Sequence, residues 1–227
     1  GSLMSFRDIA QYPPRLFPSE PIWDNFAQAW SYLTPRTFLN TFAFVFSVLF
    51  LQLAISLPAG FALSKIKFRG SNAVFALFLI PVLVPTNLNR IPTVIVTLQL
   101  GLVGNCFGLV LPIAAQASVA VLLFRQFFST LPDGLIEAAR IDGASWFQAF
   151  FRIALPLARP IIAAYSVVTF LTAWNLYIWP LLVAPGEQTK VLTLALAPLA
   201  TNQFSNISPS IGFAAAVISM VPVLVVF

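Results

Sequence analysis

Five stretches without a charged residue decide what this chain can fold into. They lie at residues 37–64, 70–89, 91–124, 160–186 and 191–227. A helix needs about 20 apolar residues to cross the hydrocarbon core of a bilayer, and each stretch is long enough to supply them. Only 8% of the residues are charged while 59% are hydrophobic, which differs strongly from the composition of soluble domains. The sequence therefore predicts an all-α, polytopic membrane helical bundle.

Turn residues divide the charge-free stretches into five predicted spans. These spans lie near residues 38–64, 72–97, 106–124, 160–183 and 209–227. The connections at 65–71 and 125–159 are rich in Lys and Arg, which favours the cytoplasmic side of a membrane. Alternation along the chain then puts the short link at 101–105 on the outer side. The predicted divisions are an outer N-terminal segment, 1–36, and a transmembrane domain, 37–227, with a cytoplasmic loop at 125–159 and an outer loop at 184–208.

A short polar helix-turn-helix lies within the second cytoplasmic connection, between two apolar spans. It runs from Glu137 to Pro156 and reads EAARIDGASWFQAFFRIALP. Thr130 or Asp133 is predicted to cap the first helix, because short polar side chains bond the free N–H groups there. Gly143 is predicted to take the left-handed conformation that ends this helix. Two short helices should therefore meet at Gly143.

The second helix of this pair has its own start and stop signals. Ser145 and Gln148, three residues apart, form a capping-box pattern at its beginning. Pro156 and Pro160 are predicted to stop it, since proline removes a backbone donor within a helix. A short helix pair held between two spans is a candidate handle for a soluble motor.

The residues of this helix pair follow a defined spacing. In order they are Glu137-Ala138-Ala139, three residues, Gly143, nine residues, Ile153, one residue and Leu155-Pro156. This order resembles the signature of the membrane subunits of binding-protein-dependent ABC importers. Essentially the whole chain from Ser5 onward resembles the carbohydrate-uptake branch of that family, which includes permeases for maltose and glycerol phosphates. The flanking segments that carry this likeness are residues 124–128, 131–132, 140–144, 174–175 and 179–182.

The resemblance implies a permease subunit of an ATP-driven importer for a carbohydrate or a related polyol or glycerol phosphate. Such a subunit forms half of a translocation path in the bacterial or archaeal plasma membrane and contacts its lipid. Its expected partners are a second homologous permease, two ATP-binding cassette subunits and an external substrate-binding protein. ATP and Mg would bind in partner subunits, so this chain is expected to bind no cofactor and to be no enzyme. Relatives have one more span before this chain begins, so six spans are expected in the intact parent.

The resemblance also assigns a role to the cytoplasmic helix pair. It would couple the path to the ATPase subunits as the EAA loop of the family. Replacement of Gly143 by a bulky β-branched residue is expected to strain the turn and to uncouple transport. The implied coupling residues are Glu137, Ala138, Ala139, Arg140, Asp142, Gly143 and Trp146.

The residue inventory argues against other mechanisms. The chain has no His and a single Cys, so it lacks imidazole catalysis, a His-ligated metal site and an internal disulfide. It also lacks the G-x-x-x-x-G-K-[ST] loop that binds nucleotide phosphates. All acids lie outside the predicted spans, whereas proton-coupled carriers usually need an ionisable group within the membrane. A self-powered channel or secondary carrier for a small polar solute is the alternative, and nucleic-acid binding and intramembrane catalysis are disfavoured.

Polar residues inside the predicted spans are the candidates for the translocation path. Such groups are costly to expose to lipid, so each should face another helix, a partner subunit or a hydrated path. Phe170, Trp174 and Tyr177 are predicted to share a helical face beside Asn175, and aromatic faces with amides suit sugars. For each residue, hydrogen bonding or packing between helices is the alternative. The candidates are Gln52, Asn87, Asn89, Gln116, Trp174, Asn175 and Tyr177.

Overall fold

Helices supply all the regular structure of the described residues in this computed structural model. The described residues are 1–13, 17–200 and 208–226, without the side chains of Thr86, Asn87 and Ala200. The predicted all-α class is confirmed. The helices are α1 Phe6–Ala10, α2 Asp24–Tyr32, α3 Pro35–Lys65, α4 Ser71–Leu83, α5 Thr86–Gln99, α6 Cys106–Ala114, α7 Ser118–Thr130, α8 Asp133–Ile141, α9 Trp146–Ala149, α10 Leu155–Leu157, α11 Arg159–Trp174, α12 Ile178–Val183, α13 Leu192–Ala200 and α14 Pro209–Val226, with a π-helical turn, Phe150–Ala154, between α9 and α10.

Two helices among the described residues, α3 and α14, are each long and apolar enough to cross a membrane. Three bent helix pairs meet the same criteria when each pair is taken as one span. They are α4 with α5, α6 with α7, and the stretch Trp146–Leu157 with α11. The second pair bends by 43° and the third by 72°. Counted in this way, the described residues hold up to five spans, but the third pair begins at Trp146, within the predicted loop 125–159 and before the predicted fourth span at 160–183.

The first bent pair replaces the continuous helix predicted over 72–97. α4 ends at Leu83, and Val84 has an extended conformation with φ −90° and ψ 123°. The cause is Pro85, because a proline ring disfavours the helical conformation at the residue before it. α5 starts directly afterwards at Thr86, so this proline separates two helices.

The fourth predicted span is also divided into two helices. α11 ends at Trp174, and α12 begins at Ile178. In a continuous helix the carbonyl of Leu176 would accept from the N–H of residue 180, but that residue is a proline and has none. The hydroxyl of Thr193 donates to the Leu176 carbonyl instead, at 2.9 Å. We call residues 175–177 the helix break.

The helix break separates aromatic residues that were predicted to lie on one helical face. Phe170 and Trp174 belong to α11, whereas Tyr177 lies within the break. A shared face requires a continuous helix, since the periodicity of side chains is lost where the helix stops. The prediction that Phe170, Trp174 and Tyr177 share one face was therefore wrong.

The described residues pack into two compact units. One unit consists of Gly1–Val45, Gly104–Cys106 and Leu171–Phe227, and the other of Phe46–Val103 and Phe107–Phe170. The predicted division at residues 36 and 37 concerns the membrane boundary and stays a prediction. The predicted outer loop 184–208 includes residues 201–207, which lie outside the described residues.

In the first unit, the N-terminal helix α2 packs against the C-terminal helix α14. The side-chain amide of Asn25 donates to the carbonyls of Ser2 and Met4, at 3.0 and 3.3 Å, and so holds the segment before α1. Thr41 of α3 accepts a hydrogen bond of 2.8 Å from the N–H of Leu192 through its hydroxyl oxygen. The first turns of α3 are thereby tied to the first turn of α13.

The second unit is built around buried apolar residues that include several aromatic rings. Phe61 meets Phe128 edge to face with 5.6 Å between ring centroids, and it lies 5.3 Å from Phe150. Gly60 lets α3 approach α7 so closely that a Cβ there would lie 2.8 Å from the backbone nitrogen of Arg125. This core supports the helix pair with the predicted coupling residues. Its buried members are Leu57, Phe61, Ala120, Phe124, Phe128, Ile136, Ala149, Phe150, Ala154 and Ala158.

Candidate functional site

The predicted coupling residues lie on α8, on α9 and on the turn between them, residues 133–149, which we call the elbow. Gly143 has a φ of 87°, in the left-handed region, as predicted. The N–H of Gly143 donates to the carbonyl of Arg140 at 3.2 Å, and the N–H of Ala144 donates to the carbonyl of Ala139 at 2.9 Å. These two bonds form the Schellman arrangement that ends a helix. The predicted helix stop at Gly143 is confirmed.

α9 begins with the predicted capping box. The hydroxyl oxygen of Ser145 accepts from the N–H of Gln148 at 3.2 Å, and the side-chain oxygen of Gln148 accepts from the N–H of Ser145 at 2.7 Å. The predicted cap of α8 was wrong. Thr130 still belongs to α7, where its hydroxyl donates to the carbonyl of Phe127, and Asp133 is the first residue of α8. A hydroxyl inside a helix bonds the preceding turn and is not available to cap the next helix.

An ion pair ties the start of the elbow to the end of α3. The ammonium group of Lys65 donates to the carboxylate of Asp133 at 2.6 Å and to the carbonyl of Leu131 at 2.5 Å. The Lys65 side chain is only 3% exposed, whereas that of Asp133 is 77% exposed. The hydrogen bond and the positive charge of Lys65 hold the pKa of Asp133 below its ordinary value. From the sequence, Lys65 was only one of the basic residues of the predicted cytoplasmic connection 65–71. Its ion pair with Asp133 was not predicted, because no sequence signal links two residues so far apart along the chain.

Ile136 anchors the middle of α8 in the core of the second unit. Its side chain is buried among the aromatic residues around Phe61 and Phe150. Burying an Ile side chain contributes about 1.5–3 kcal/mol relative to leaving it exposed. The elbow is therefore fixed to the second unit both by an ion pair and by an apolar contact.

Two predicted coupling residues brace the turn of the elbow. A terminal nitrogen of Arg140 donates to the carbonyl of Ala144 at 2.6 Å. The same guanidinium lies over the indole of Trp146, 4.8 Å from the ring centroid. A cation–π contact at an exposed site contributes about 0.5–1 kcal/mol. Arg140 and Trp146 thus join the two helices of the elbow across Gly143.

The helix that begins at Trp146 ends at Leu157, between Pro156 and Pro160, so the predicted stop at these two prolines is confirmed. Its backbone widens into the π-helical turn, where the N–H of Leu155 donates to the carbonyl of Phe150, five residues back. Pro156 has no N–H, and the wider turn lets the helix pass it and reach Leu157. Pro160 lies at the second position of α11, because proline is tolerated in the first turn of a helix.

The surface of the elbow exposes polar and apolar residues together. Glu137, Ala138 and Asp142 are exposed, as are three apolar side chains that were not among the predicted coupling residues, Leu135, Ile141 and Phe147. Ile141 is 85% exposed and Phe147 is 70% exposed. The Phe147 ring lies only 4.3 Å from the ring of Phe151, so the exposed aromatic surface continues into the π-helical turn. The sequence signal for Ile141 and Phe147 is that both are apolar residues within four positions of Gly143.

Gln52, a candidate for the path, is 6% exposed and joins three helices. Its amide nitrogen donates to the carbonyl of Ile113 at 3.0 Å, and its amide oxygen accepts from the hydroxyl of Tyr165 at 2.6 Å. α6 ends one residue after Ile113, so this carbonyl lies where helical partners run out. Gln52 therefore forms hydrogen bonds between helices, which was the predicted alternative to a role in the path.

The remaining path candidates have different surroundings. Trp174 is buried and meets Phe42 edge to face at 5.1 Å. Asn175 is exposed, and its amide nitrogen donates to the carbonyl of Leu171 at 2.9 Å. Tyr177 is 39% exposed. Asn89 and Gln116 are exposed, while the side chain of Asn87 lies outside the described part of the chain.

The relatives found by comparison with known proteins include two permeases from different bacteria. The chain is 32% identical over 225 residues to the sn-glycerol-3-phosphate transport system permease protein UgpE of Yersinia pestis bv. Antiqua (strain Antiqua), with 96% of this chain and 80% of that protein covered. It is 37% identical over 184 residues to the protein of the same name from Escherichia coli O1:K1 / APEC, with 78% of this chain and 65% of that protein covered.

The fold also occurs in a solved crystal structure of another protein. That protein is described as a bacterial ABC transporter involved in the import of the acidic polysaccharide alginate. One of its chains superposes with a TM-score of 0.88 at 24% sequence identity, and the match covers 99% of this chain and 84% of that chain. At this identity the likeness shows a shared helical fold.

A match to a protein family covers most of the chain. The sequence pattern of the family described as "Binding-protein-dependent transport system inner membrane component" matches residues 37–227. The resemblance inferred from the spacing of the EAA loop is confirmed by this match. The chain therefore belongs to the inner membrane components of binding-protein-dependent transport systems.

Proposed function

We propose that this chain is the permease subunit of an ATP-driven importer and that the motor subunits dock on the elbow. The observation that carries this proposal is the difference between the two sides of the elbow. On one side, Lys65 and the core around Ile136 fix it to the second unit. On the other side, Ile141 and Phe147 are exposed apolar groups. Exposed apolar groups on a rigid element are typical of a docking surface.

The mechanical step follows from this anchoring. Closure of an ATPase dimer would push on the exposed side of the elbow, and the buried contacts would pass the displacement on. Lys65 ends α3, and Ile136 belongs to the same buried cluster as residues of α3 and α7, so a shift of α8 would displace the ends of these two helices. A short braced element of this kind moves as a rigid body, which suits alternating access.

The assembly and the sidedness are part of the same proposal. The elbow faces the cytoplasm, because the connections at 65–71 and 125–159 carry most of the basic residues between spans. ATP and Mg bind in two separate cassette subunits, while a second permease completes the path and an external binding protein delivers the solute. This chain itself performs no covalent chemistry. The coupling residues are Glu137, Ala138, Ala139, Arg140, Asp142, Gly143 and Trp146, joined by Ile141 and Phe147.

The solute is a glycerol phosphate or a related polyol or carbohydrate. Two relatives are glycerol-3-phosphate permeases by name, which supports this class. Within the path we place the helix break, where Asn175 presents an exposed amide beside Trp174 and Tyr177. Interrupted helices form solute sites in other transporters, because they free backbone groups inside the membrane. Gln52, Asn87, Asn89 and Gln116 are the other path candidates.

The docking proposal is tested by giving the exposed side of the elbow two charges. Ile141→Asp combined with Phe147→Asp should lower the amount of ATPase that co-purifies with the permease by at least about ten-fold. Both side chains are exposed, so the thermal unfolding midpoint of the permease should stay close to that of the wild type. The matched control is Ile141→Val with Phe147→Leu, which keeps the apolar surface and should retain the ATPase.

Two results would overturn this proposal. Wild-type amounts of ATPase on the doubly charged variant would show that the motor docks elsewhere. Solute flux by the isolated chain in liposomes, without nucleotide, would favour the self-powered channel or carrier. The solute class is tested separately by measuring which compounds bind the cognate external binding protein, where no binding of polyol phosphates or sugars would contradict it.

A further inference from the structure

An open cavity of about 560 Å³ lies on the second unit between α4, α7 and α11. One part of its lining is apolar and comes from Val119, Leu122 and Leu123 on α7. Another part is polar and comes from Arg125, Gln126 and Thr130 on the same helix. Neither the elbow nor the helix break contributes to it.

The two kinds of lining are ordered along the axis of α7. Val119, Leu122 and Leu123 line its first part, and the second part, 125–130, combines the polar Arg125, Gln126 and Thr130 with the apolar Phe127. A helix rises about 1.5 Å per residue, so the lining extends over roughly 16 Å from Val119 to Thr130. The cavity is therefore a largely apolar groove whose polar groups all lie towards the end of α7.

Arg125 is positioned at the polar end of this groove. Its guanidinium lies 3.8 Å from the ring centroid of Phe75, and its Nε donates to the carbonyl of Leu63 at 3.5 Å. Within the described part of the chain, its two terminal nitrogens have no recorded hydrogen-bond acceptor. A guanidinium held by these two contacts presents its terminal nitrogens as a planar fork, which matches the geometry of a phosphate.

We propose that this groove binds one molecule of an anionic phospholipid, with its phosphate at Arg125 and an acyl chain along Val119, Leu122 and Leu123. Arg125 supplies the positive charge, and no carboxylate belongs to the described lining that would repel a phosphate. The apolar part of the groove selects a lipid over free phosphate, because a soluble anion would leave that surface uncovered. Basic pockets between helices at the cytoplasmic side are suited to anionic headgroups. This site concerns the surrounding bilayer and goes beyond the proposed docking of the motor.

The experiment is native mass spectrometry of the complete transporter after reconstitution with phosphatidylglycerol or with phosphatidylcholine. Wild-type complex should retain phosphatidylglycerol preferentially, and excess inorganic phosphate should not displace it. Arg125→Gln should lower the retained phosphatidylglycerol about five-fold, as expected for one basic group at a membrane surface. The matched control is Arg69→Gln, which removes an exposed basic residue from the neighbouring cytoplasmic link and should leave the retained lipid unchanged.

A second variant tests the apolar part and leaves Arg125 in place. Leu123→Trp should fill the groove and lower phosphatidylglycerol retention as well, without removing a charge. Equal retention in Arg125→Gln and Arg69→Gln, or wild-type retention in Leu123→Trp, would overturn the proposal. Displacement by inorganic phosphate alone would overturn it too. Cross-linking of Leu123→Cys to the second permease would show that a protein occupies the groove, with the same consequence.

Discussion

The elbow and the helix break both interrupt helices that carry predicted functional residues, but they are built in different ways. The elbow turns through local signals, namely the left-handed Gly143 and the Ser145–Gln148 capping box. The helix break depends on Pro180 and on a hydroxyl from Thr193, which is 17 residues along the chain from the carbonyl that it binds. The turn of the elbow is therefore encoded by neighbouring residues. The helix break needs a partner from another element to satisfy its backbone.

The largest expected effect concerns the buried anchor of the elbow. Ile136→Ala should lower the free energy of unfolding by about 2–5 kcal/mol, because it removes buried methyl groups and leaves a cavity beside Phe61 and Phe150. The control is Ile141→Ala on the same helix, whose side chain is 85% exposed and whose loss should cost little. Denaturant unfolding of the detergent-solubilised chain measures both. Equal losses in the two variants would show that α8 is not anchored through Ile136.

The next effect concerns the turn of the elbow. Gly143→Val should cost about 1–2 kcal/mol through backbone strain at positive φ, and it should also uncouple ATP hydrolysis from uptake. The control is Gly134→Ala in the first turn of α8, where an added Cβ meets nothing within 4 Å. The readout is the number of solute molecules imported per ATP hydrolysed in proteoliposomes. Normal coupling and normal assembly in Gly143→Val would contradict a role for this turn.

A smaller effect is expected at the helix break. Thr193→Val removes the donor to the Leu176 carbonyl and should cost about 1 kcal/mol of stability. Asn175→Ala removes only a bond to the last turn of α11, so it should leave stability nearly unchanged while lowering uptake more than assembly. Thermal unfolding and initial uptake rates separate the two variants. Unchanged uptake kinetics in Asn175→Ala would instead favour a packing role for this residue.

The smallest effect is a pH dependence of the elbow anchor. Lys65 holds the pKa of Asp133 below its ordinary value of 3.8. The stabilisation is therefore fully present above pH 3.8, and it is lost as the pH falls through the lowered pKa of the folded protein. The unfolding midpoint of the wild type should exceed that of Asp133→Asn at pH 6, and this difference should shrink in acid. A constant difference across that range would mean that the carboxylate charge does not stabilise the elbow.

The sequence was most informative where the determining residues are neighbours. Gly143, Ser145 and Gln148 act over three to five residues, so the elbow and its motif could be predicted together. The membrane class followed from the charge-free stretches, because burial in lipid requires long apolar segments. These features depend on local physical chemistry and need no knowledge of the tertiary fold.

The sequence was least informative where distant residues meet. Lys65 and Asp133 are 68 positions apart, and no pattern announces their ion pair. Gln52 and Asn175 are both amides within predicted spans, yet one is buried between three helices and the other is exposed at the helix break. At Pro180, a hydroxyl from another element donates to the carbonyl that the proline leaves without a partner. At Pro156, the helix instead widens into a π-helical turn. Such outcomes are decided by packing, which a single sequence does not display.

The central claim is that the elbow, and not the helix break, contacts the ATP-driven motor. The most direct measurement is cross-linking in the assembled transporter, starting from a Cys106→Ser background and introducing either Ile141→Cys or Tyr177→Cys. The account predicts that a short bifunctional reagent joins Ile141→Cys, but not Tyr177→Cys, to an ATP-binding subunit. Cross-links from Tyr177→Cys alone, or labelling of Ile141→Cys by an impermeant reagent applied outside intact cells, would contradict it.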